Sequence, residues 1–195
     1  MAVLILALPA LAGAADENRP GLSKGFFIGA AVGPTEIDID QENYNGNLQL
    51  SPPLDSDGLN LNLEAGYRFS EQFFTTVSYQ YLSTDDADIQ HLFASVNIQF
   101  SLAPEIKPFI GFVAGFSRMK WERTFNAIYS ENEGNSGLYG LQAGFEILTD
   151  GPISILCTYQ YLITDLETEL YLIPNVSRLT HQNFQNLLFG IRYSF

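Results

Sequence analysis

The sequence is poor in cysteine, in basic residues and in long apolar runs, and each shortage removes a class of protein. Its one cysteine, Cys157, leaves no intrachain disulfide framework and no cysteine-based zinc site. Its surroundings read as a strand, where it serves as a small apolar residue. A catalytic thiol would need a nearby histidine, and the pattern suggests none. Only 9 lysines and arginines stand against 22 acids, a net charge of −13. Nucleic-acid binding needs a basic footprint, which is missing here. No segment after the first residues approaches the ~18 consecutive apolar residues of a membrane helix. A mean hydropathy of +0.04 is likewise too polar for a bundle of such helices.

What is present begins with the leader. An apolar run from Ala2 to Leu11 precedes Ala12-Gly13-Ala14, a small-residue site of the A-x-A kind. The run is too short to span a bilayer. It reads as a secretory signal peptide over 1–14, cleaved near Ala14 or Ala15, although no lysine or arginine precedes it. Residues 15–23 then form a short lead into a single domain over 24–195.

That domain alternates with period two. In 59–69, Leu59, Leu61, Leu63, Ala65, Tyr67 and Phe69 share one face. Asn60, Asn62, Glu64, Gly66 and Arg68 share the other, which is strand periodicity. Eight such runs are expected, near 24–37, 57–70, 73–84, 88–100, 106–123, 137–149, 152–165 and 183–195. Tight turns follow the second, fourth and sixth, at 70–72, 101–105 and 149–151. The other connections are 38–56, the short 85–87, 124–136 and 166–182. Short turns alternating with longer polar loops are the layout of an outer-membrane barrel. The stretches 64–85 and 142–165 echo each other, through duplication of a hairpin or through convergence.

The faces decide which side is the interior. An apolar lining would crowd a narrow eight-stranded lumen and leave the glycines outside. The opposite choice lines the lumen with Gly29, Gly33, Gly66, Gly111, Gly115, Gly144 and Gly190, and with Gln80, Asn97, Gln99, Gln142 and Gln160. Small and polar residues suit an interior that side chains just fill. The outward set, such as Ile110, Phe112, Ala114 and Phe116, carries no charge until Arg118, Lys120 and Glu122. That band matches the roughly nine to eleven residues of a tilted membrane strand. Aromatics gather at both ends of the runs, as in interfacial girdles. Tyr67, Phe69, Phe73, Phe100, Phe145, Tyr193 and Phe195 mark the end with the tight turns; Tyr79, Tyr81, Tyr159 and Tyr161 mark the other.

Through "KGFFIGAAVG", "LEAGYRF", "IKPFIGFVAGFSR", "LYGLQAGFEI" and the closing "LLFGIRYSF", the chain resembles the eight-stranded OmpA-like, or porin-family, outer-membrane barrels of Gram-negative bacteria. The resemblance implies an all-β, antiparallel up-and-down transmembrane barrel, set among outer-membrane lipid and lipopolysaccharide. It implies that barrel-assembly machinery and periplasmic chaperones are partners, with Tyr193 and Phe195 as the assembly signal. It carries over no peptidoglycan-binding domain.

Chemistry-bearing residues are sparse. Glu64, Arg68, Glu146 and Arg192 face inward near the tight-turn end and are expected to form a charge cluster in the lumen. Such a cluster reads as a plug that fixes register, or as a conducting constriction. Inward Phe74, Leu82, Phe93, Leu156 and Leu162 favour the packed interior. Arg118 and Lys120 point outward at the outer edge, as lipopolysaccharide contacts or as a solvated strand end. His91 and His181 are the only histidines. His181 lacks a serine two residues on, so a likeness to lipid A deacylases fails, and no catalysis is expected. The acids Glu36, Asp38, Asp40, Glu42, Asp55, Asp57, Glu131, Glu133, Asp165, Glu167 and Glu169 lack metal-loop spacing, and neither metal nor cofactor is expected. The sequence therefore reads as a plugged surface barrel interacting with host or environmental ligands through its long loops. A small passive pore is the second reading and an outer-membrane lipid-modifying enzyme the third.

Overall fold

The computed structural model of the chain describes residues 24–43, 56–121, 129–130, 133–172 and 175–195. The expected signal peptide lies outside them. The elements are β1 (Gly25–Asn43), β2 (Asp57–Ser70), β3 (Phe73–Ser83), β4 (Ala87–Gln99), β5 (Ile106–Trp121), the short β6 (Tyr129–Ser130), β7 (Glu133–Leu148), β8 (Ile153–Leu172) and β9 (Asn175–Ser194). Neighbouring long strands pair antiparallel in the order β8-β7-β5-β4-β3-β2-β1-β9. β9 also pairs with β8, so the sheet closes into an eight-stranded barrel, with β6 attached to the outer part of β8. Closure leaves no unpaired edge in the wall, which hydrocarbon requires.

The period-two pattern sets the faces as expected. Phe26, Ile28, Leu61, Leu63, Leu92, Ile110, Phe112 and Ile191 are exposed on the outside, while their chain neighbours are buried within. The terminal strand is tied down at both edges. Tyr193 pairs with Ile28 on β1 and with Ile153 on β8, and the Phe195 amide donates to the Phe26 carbonyl at 3.0 Å. Around this end the aromatic rings touch edge to face. Phe26–Tyr67 and Tyr67–Phe69 centroids are 4.8 Å apart, and Tyr193–Phe195 centroids 5.1 Å.

The structure corrects the long loops. β1 runs through Asp38 and Asp40 to Asn43, and β7 starts at Glu133. The segment expected as a loop over 166–182 is mostly hairpin: β8 and β9 pair from Leu166↔His181 out to Leu172↔Asn175. These strands are 20 residues each, about twice what a tilted crossing needs. Beyond the apolar belt their outer faces turn polar, so the apolar half of the alternation that marks a strand is lost. The inner face keeps it, in Ile37, Leu166 and Leu179, all buried. The barrel therefore extends beyond its apolar belt as an outward collar of β1, β8 and β9.

Candidate functional site

Among the described residues, inward positions of the alternating strands form three layers along the lumen. At the tight-turn end, β1, β2 and β9 bring Gly29, Glu64 and Arg192 into one row, because Gly29 pairs with both of the others. Arg192 donates from Nε and Nη2 to Glu64 Oε1 at 2.9 and 2.8 Å. From β7, Glu146 accepts from Arg68 Nη2 at 2.8 Å, Arg192 Nη1 at 3.2 Å and Gln99 Nε2 at 2.9 Å. Ser154 Oγ donates to its other oxygen at 2.6 Å, and Arg68 Nη1 also donates to Gln99 Oε1. The four ionic groups named from the sequence thus stand together, two cations against two anions.

Buried charge is tolerated only when it is paired and its remaining hydrogen-bonding capacity is met. Both conditions hold at Glu146, which is fully buried. Aromatic faces complete the layer. The Arg192 guanidinium lies 4.2 Å from the Phe27 ring centroid and 4.9 Å from that of Phe74; Arg68 lies 5.5 Å from Phe74. Phe27 finds its room at Gly66, where any Cβ would collide with the ring.

The middle layer is a lattice of amides and hydroxyls. Gln80 Nε2 donates to Gln160 Oε1 at 2.6 Å, and Gln160 Nε2 donates to Gln142 Oε1 at 3.0 Å. Gln142 Nε2 donates to Asn97 Oδ1 at 2.6 Å, and Thr35 Oγ1 to Asn186 Oδ1 at 2.6 Å. The cavity between this lattice and the charged layer, bounded by Asn62, Glu64, Gln142, Gln160 and Arg192, measures about 10 Å³. That is room for one water at most.

The outer layer is apolar. Ile37, Leu82, Ile89, Phe93, Met119, Trp121, Leu162, Leu166, Leu179 and Phe184 pack as one buried cluster. Both histidines sit inside it. His91 Nδ1 is 2.8 Å from Ser117 Oγ with its ring against Phe184, centroids 4.9 Å apart; His181 stacks edge to face on Trp121 at 5.5 Å. His91 Nε2, His181 Nδ1 and the hydroxyls of Thr164 and Thr168 are buried without a partner.

Sequence reasoning placed Phe74, Leu82, Phe93, Leu156 and Leu162 correctly inside the barrel. It missed that Trp121, Met119 and Leu179 continue the core outward, and that His181 is buried. The signal was available as unbroken alternation on the inner face alone. Lys107 was also overlooked. It turns inward at the rim as the register neighbour of Glu146, and its Nζ donates to Ser101 Oγ at 2.8 Å.

The outward candidates lie on β5. Arg118 and Lys120 point away from the lumen, and Arg118 Nη2 meets Glu133 Oε2 at 2.7 Å, both side chains about half exposed. Tyr193 and Phe195 are exposed in the ring of aromatics at the tight-turn end. Among the described residues, no group of three or more His, Cys, Asp or Glu is placed to hold a metal ion.

Comparison with known proteins matches this architecture. A family model described as "Outer membrane protein beta-barrel domain" matches residues 1–195. Neisserial surface protein A superposes with a TM-score of 0.61 at 16% identity, covering 88% of this chain and 97% of its own. The outer membrane protein AlkL gives 0.51 at 13% identity, covering 98% and 97%. OprG from Pseudomonas aeruginosa gives 0.50 at 14% identity, covering 91% and 100%. At such identities the likeness is one of fold. A search of curated proteins returns no match.

Proposed function

The chain belongs to the outer membrane protein β-barrel domain family, and from that premise we propose a non-conducting barrel that works through its outward collar and loops. It is an integral outer-membrane barrel. The tight turns face the periplasm in this reading, and the β1–β8–β9 collar presents the extracellular surface to ligands of the host or surroundings. The observation that carries this reading is the succession of inward side-chain layers among the described residues. Charged, amide and apolar layers follow one another, with about 10 Å³ left between the first two. A pore of this strand number has little width to spare once side chains fill it. The leader 1–14 directs export in this reading, and Tyr193 and Phe195 are presented to the assembly machinery by the last strand. No catalysis is assigned to the chain.

Planar-bilayer recording of the refolded full chain is the test. The expected result is no stable unitary step at protein concentrations where insertion is verified. Steady ohmic channels would overturn the proposal in favour of a small passive pore. That second reading draws on the unpartnered His91 Nε2, Thr164 and Thr168 hydroxyls and His181 Nδ1, which could line a file of water through the outer layer.

A further inference from the structure

The outer wall carries a feature that the filled lumen does not use. On three adjacent strands, Gln90 of β4, Arg118 of β5 and Asn135 of β7 stand in one cross-strand row, because Arg118 pairs with both of the others. All three point outward. One step toward the bilayer, Leu92, Phe116 and Gly137 form the next outward row, with Tyr79 beside Leu92. The missing side chain at Gly137, where an added Cβ would meet nothing within 4 Å, leaves a dent beside Phe116. The dent measures about 570 Å³ and is walled by residues of both rows.

We propose that this dent holds a phosphate-bearing lipid of the outer leaflet, with an acyl chain against Phe116 and Leu92 and a phosphate on the Gln90–Arg118–Asn135 row. The position selects the occupant. The lower row lies in the apolar belt, so only hydrocarbon is at hand to fill it. The upper row lies where that belt ends and offers a guanidinium flanked by two amides. Elsewhere the outer edge is mainly acidic, with Glu36, Asp38, Asp40, Asp57, Asp165 and Glu167 on its outer face and Arg178 held 3.8 Å from Glu167. An anion is therefore steered to β5. Lys120, one row further out, makes no ion pair with its register neighbours Asp88 and Glu133 and adds a second cation. Glu133 competes for Arg118 at 2.7 Å, but a guanidinium has N–H groups to share between a carboxylate and a phosphate. Charge-assisted bonds of this kind are about twice as strong as neutral ones. The assignment rests on the tight turns facing the periplasm, which puts β5's outer end in the outer leaflet.

The test is a titration of the refolded full chain, in uncharged detergent, with bis-phosphorylated lipid A, read by native mass spectrometry. Arg118→Gln is expected to weaken binding about tenfold. Gly137→Leu fills the dent without touching the phosphate row and is expected to weaken it similarly. Glu133→Gln removes the competing carboxylate and is expected to tighten it. Lys24→Gln, at the opposite end of the barrel, is expected to change nothing. Heat-modifiable migration of each variant establishes that the barrel has formed. The proposal is overturned by equal binding of a lipid A lacking its phosphates, by unchanged binding in both weakening variants, or by displacement of the lipid with millimolar inorganic phosphate. Conductance is indifferent to all of these, so failure here is separable from failure of the non-conducting reading.

Discussion

Arg192 and Glu64 meet over Gly29, a residue of the strand that separates their own. The guanidinium reaches Glu64 Oε1 at 2.8 and 2.9 Å, and a Cβ on Gly29 would stand 2.8 Å from that same oxygen. The pair thus exists because the intervening strand has no side chain there. It links β9 to β2 across β1 and so fixes the register of the closing seam from inside.

Gly29→Val should spread this pair and destabilise the barrel. The added branched side chain also comes within 3.0 Å of the Ile191 carbonyl, which belongs to the wall and does not yield. A loss of about 1–3 kcal/mol is expected, as for other overpacked sites. Urea unfolding in vesicles, followed by the heat-modifiable gel shift, measures it; an unchanged midpoint would sink the register role.

Removing the shared acceptor should cost more. Glu146→Gln leaves Arg68 and Arg192 with one carboxylate between them, and unbalanced buried charge typically costs about 3–5 kcal/mol. Glu146→Gln combined with Arg68→Met restores neutrality and should recover much of that loss. Equal instability of the single and double variants would show that geometry, and not charge balance, holds the layer together.

The outer apolar layer predicts a route to conduction. Phe184→Ala and Leu162→Ala open space in a packed cluster, at about 2–5 kcal/mol each. If that layer is the seal, the double variant should show unitary currents that the parent lacks. Silence in both, with insertion verified, would place the seal in the layers nearer the periplasm.

The collar should loosen in acid. His181 pairs with Ile39 and Leu166, above the apolar belt, between the outward Asp40, Glu167 and Gln182. Burial lowers its pKa from 6.5 to about 4. The opened collar therefore binds the proton more readily than the closed one. Stability is unaffected above about 6.5, falls as pH drops through the window, and levels off below about 4. The chain has one tryptophan, Trp121, and it touches the His181 ring. Acrylamide quenching of its fluorescence should rise across that pH window, and His181→Gln should abolish the rise.

Deleting Phe195 should impair insertion into the outer membrane more than synthesis. The Phe195 amide bonds to the Phe26 carbonyl, and its ring packs on Tyr193, so the deletion also removes a tie at the seam. Quantifying folded barrel in membrane fractions, with Phe195→Tyr as the aromatic control, separates the two contributions. Normal assembly of the deletion would remove Phe195 from the signal.

Much of this architecture was legible because the bilayer imposes a severe pattern. Within the belt the outward residues are apolar with few exceptions such as Thr75, so Leu59, Leu61 and Leu63 alternating with Asn60, Asn62 and Glu64 leave one solution. The charge cluster was legible for the same reason: Glu64, Arg68, Glu146 and Arg192 stood out as inward ionic positions near the tight-turn end, although Lys107, inward at the same end, did not. The collar was not. Once Asp38, Asp40 and Glu167 replace apolar residues on the outer face, strand and loop look alike unless the inner face is followed alone. Partner choice was hidden for a different reason. Which inward groups meet depends on shear, which pairs Gly29 with both Glu64 and Arg192, and no single strand contains that information.

The cluster also bears on the order in which the barrel is completed. Glu64 and Glu146 arrive on β2 and β7, and before the last strand docks they face a single arginine of the cluster, Arg68. Arg192 rides on β9, the strand that closes the seam. These four ions are thus out of balance before the seam closes and balanced once it has closed. The last strand delivers the ion that balances this cluster, so the cluster itself distinguishes a closed seam from a stalled one.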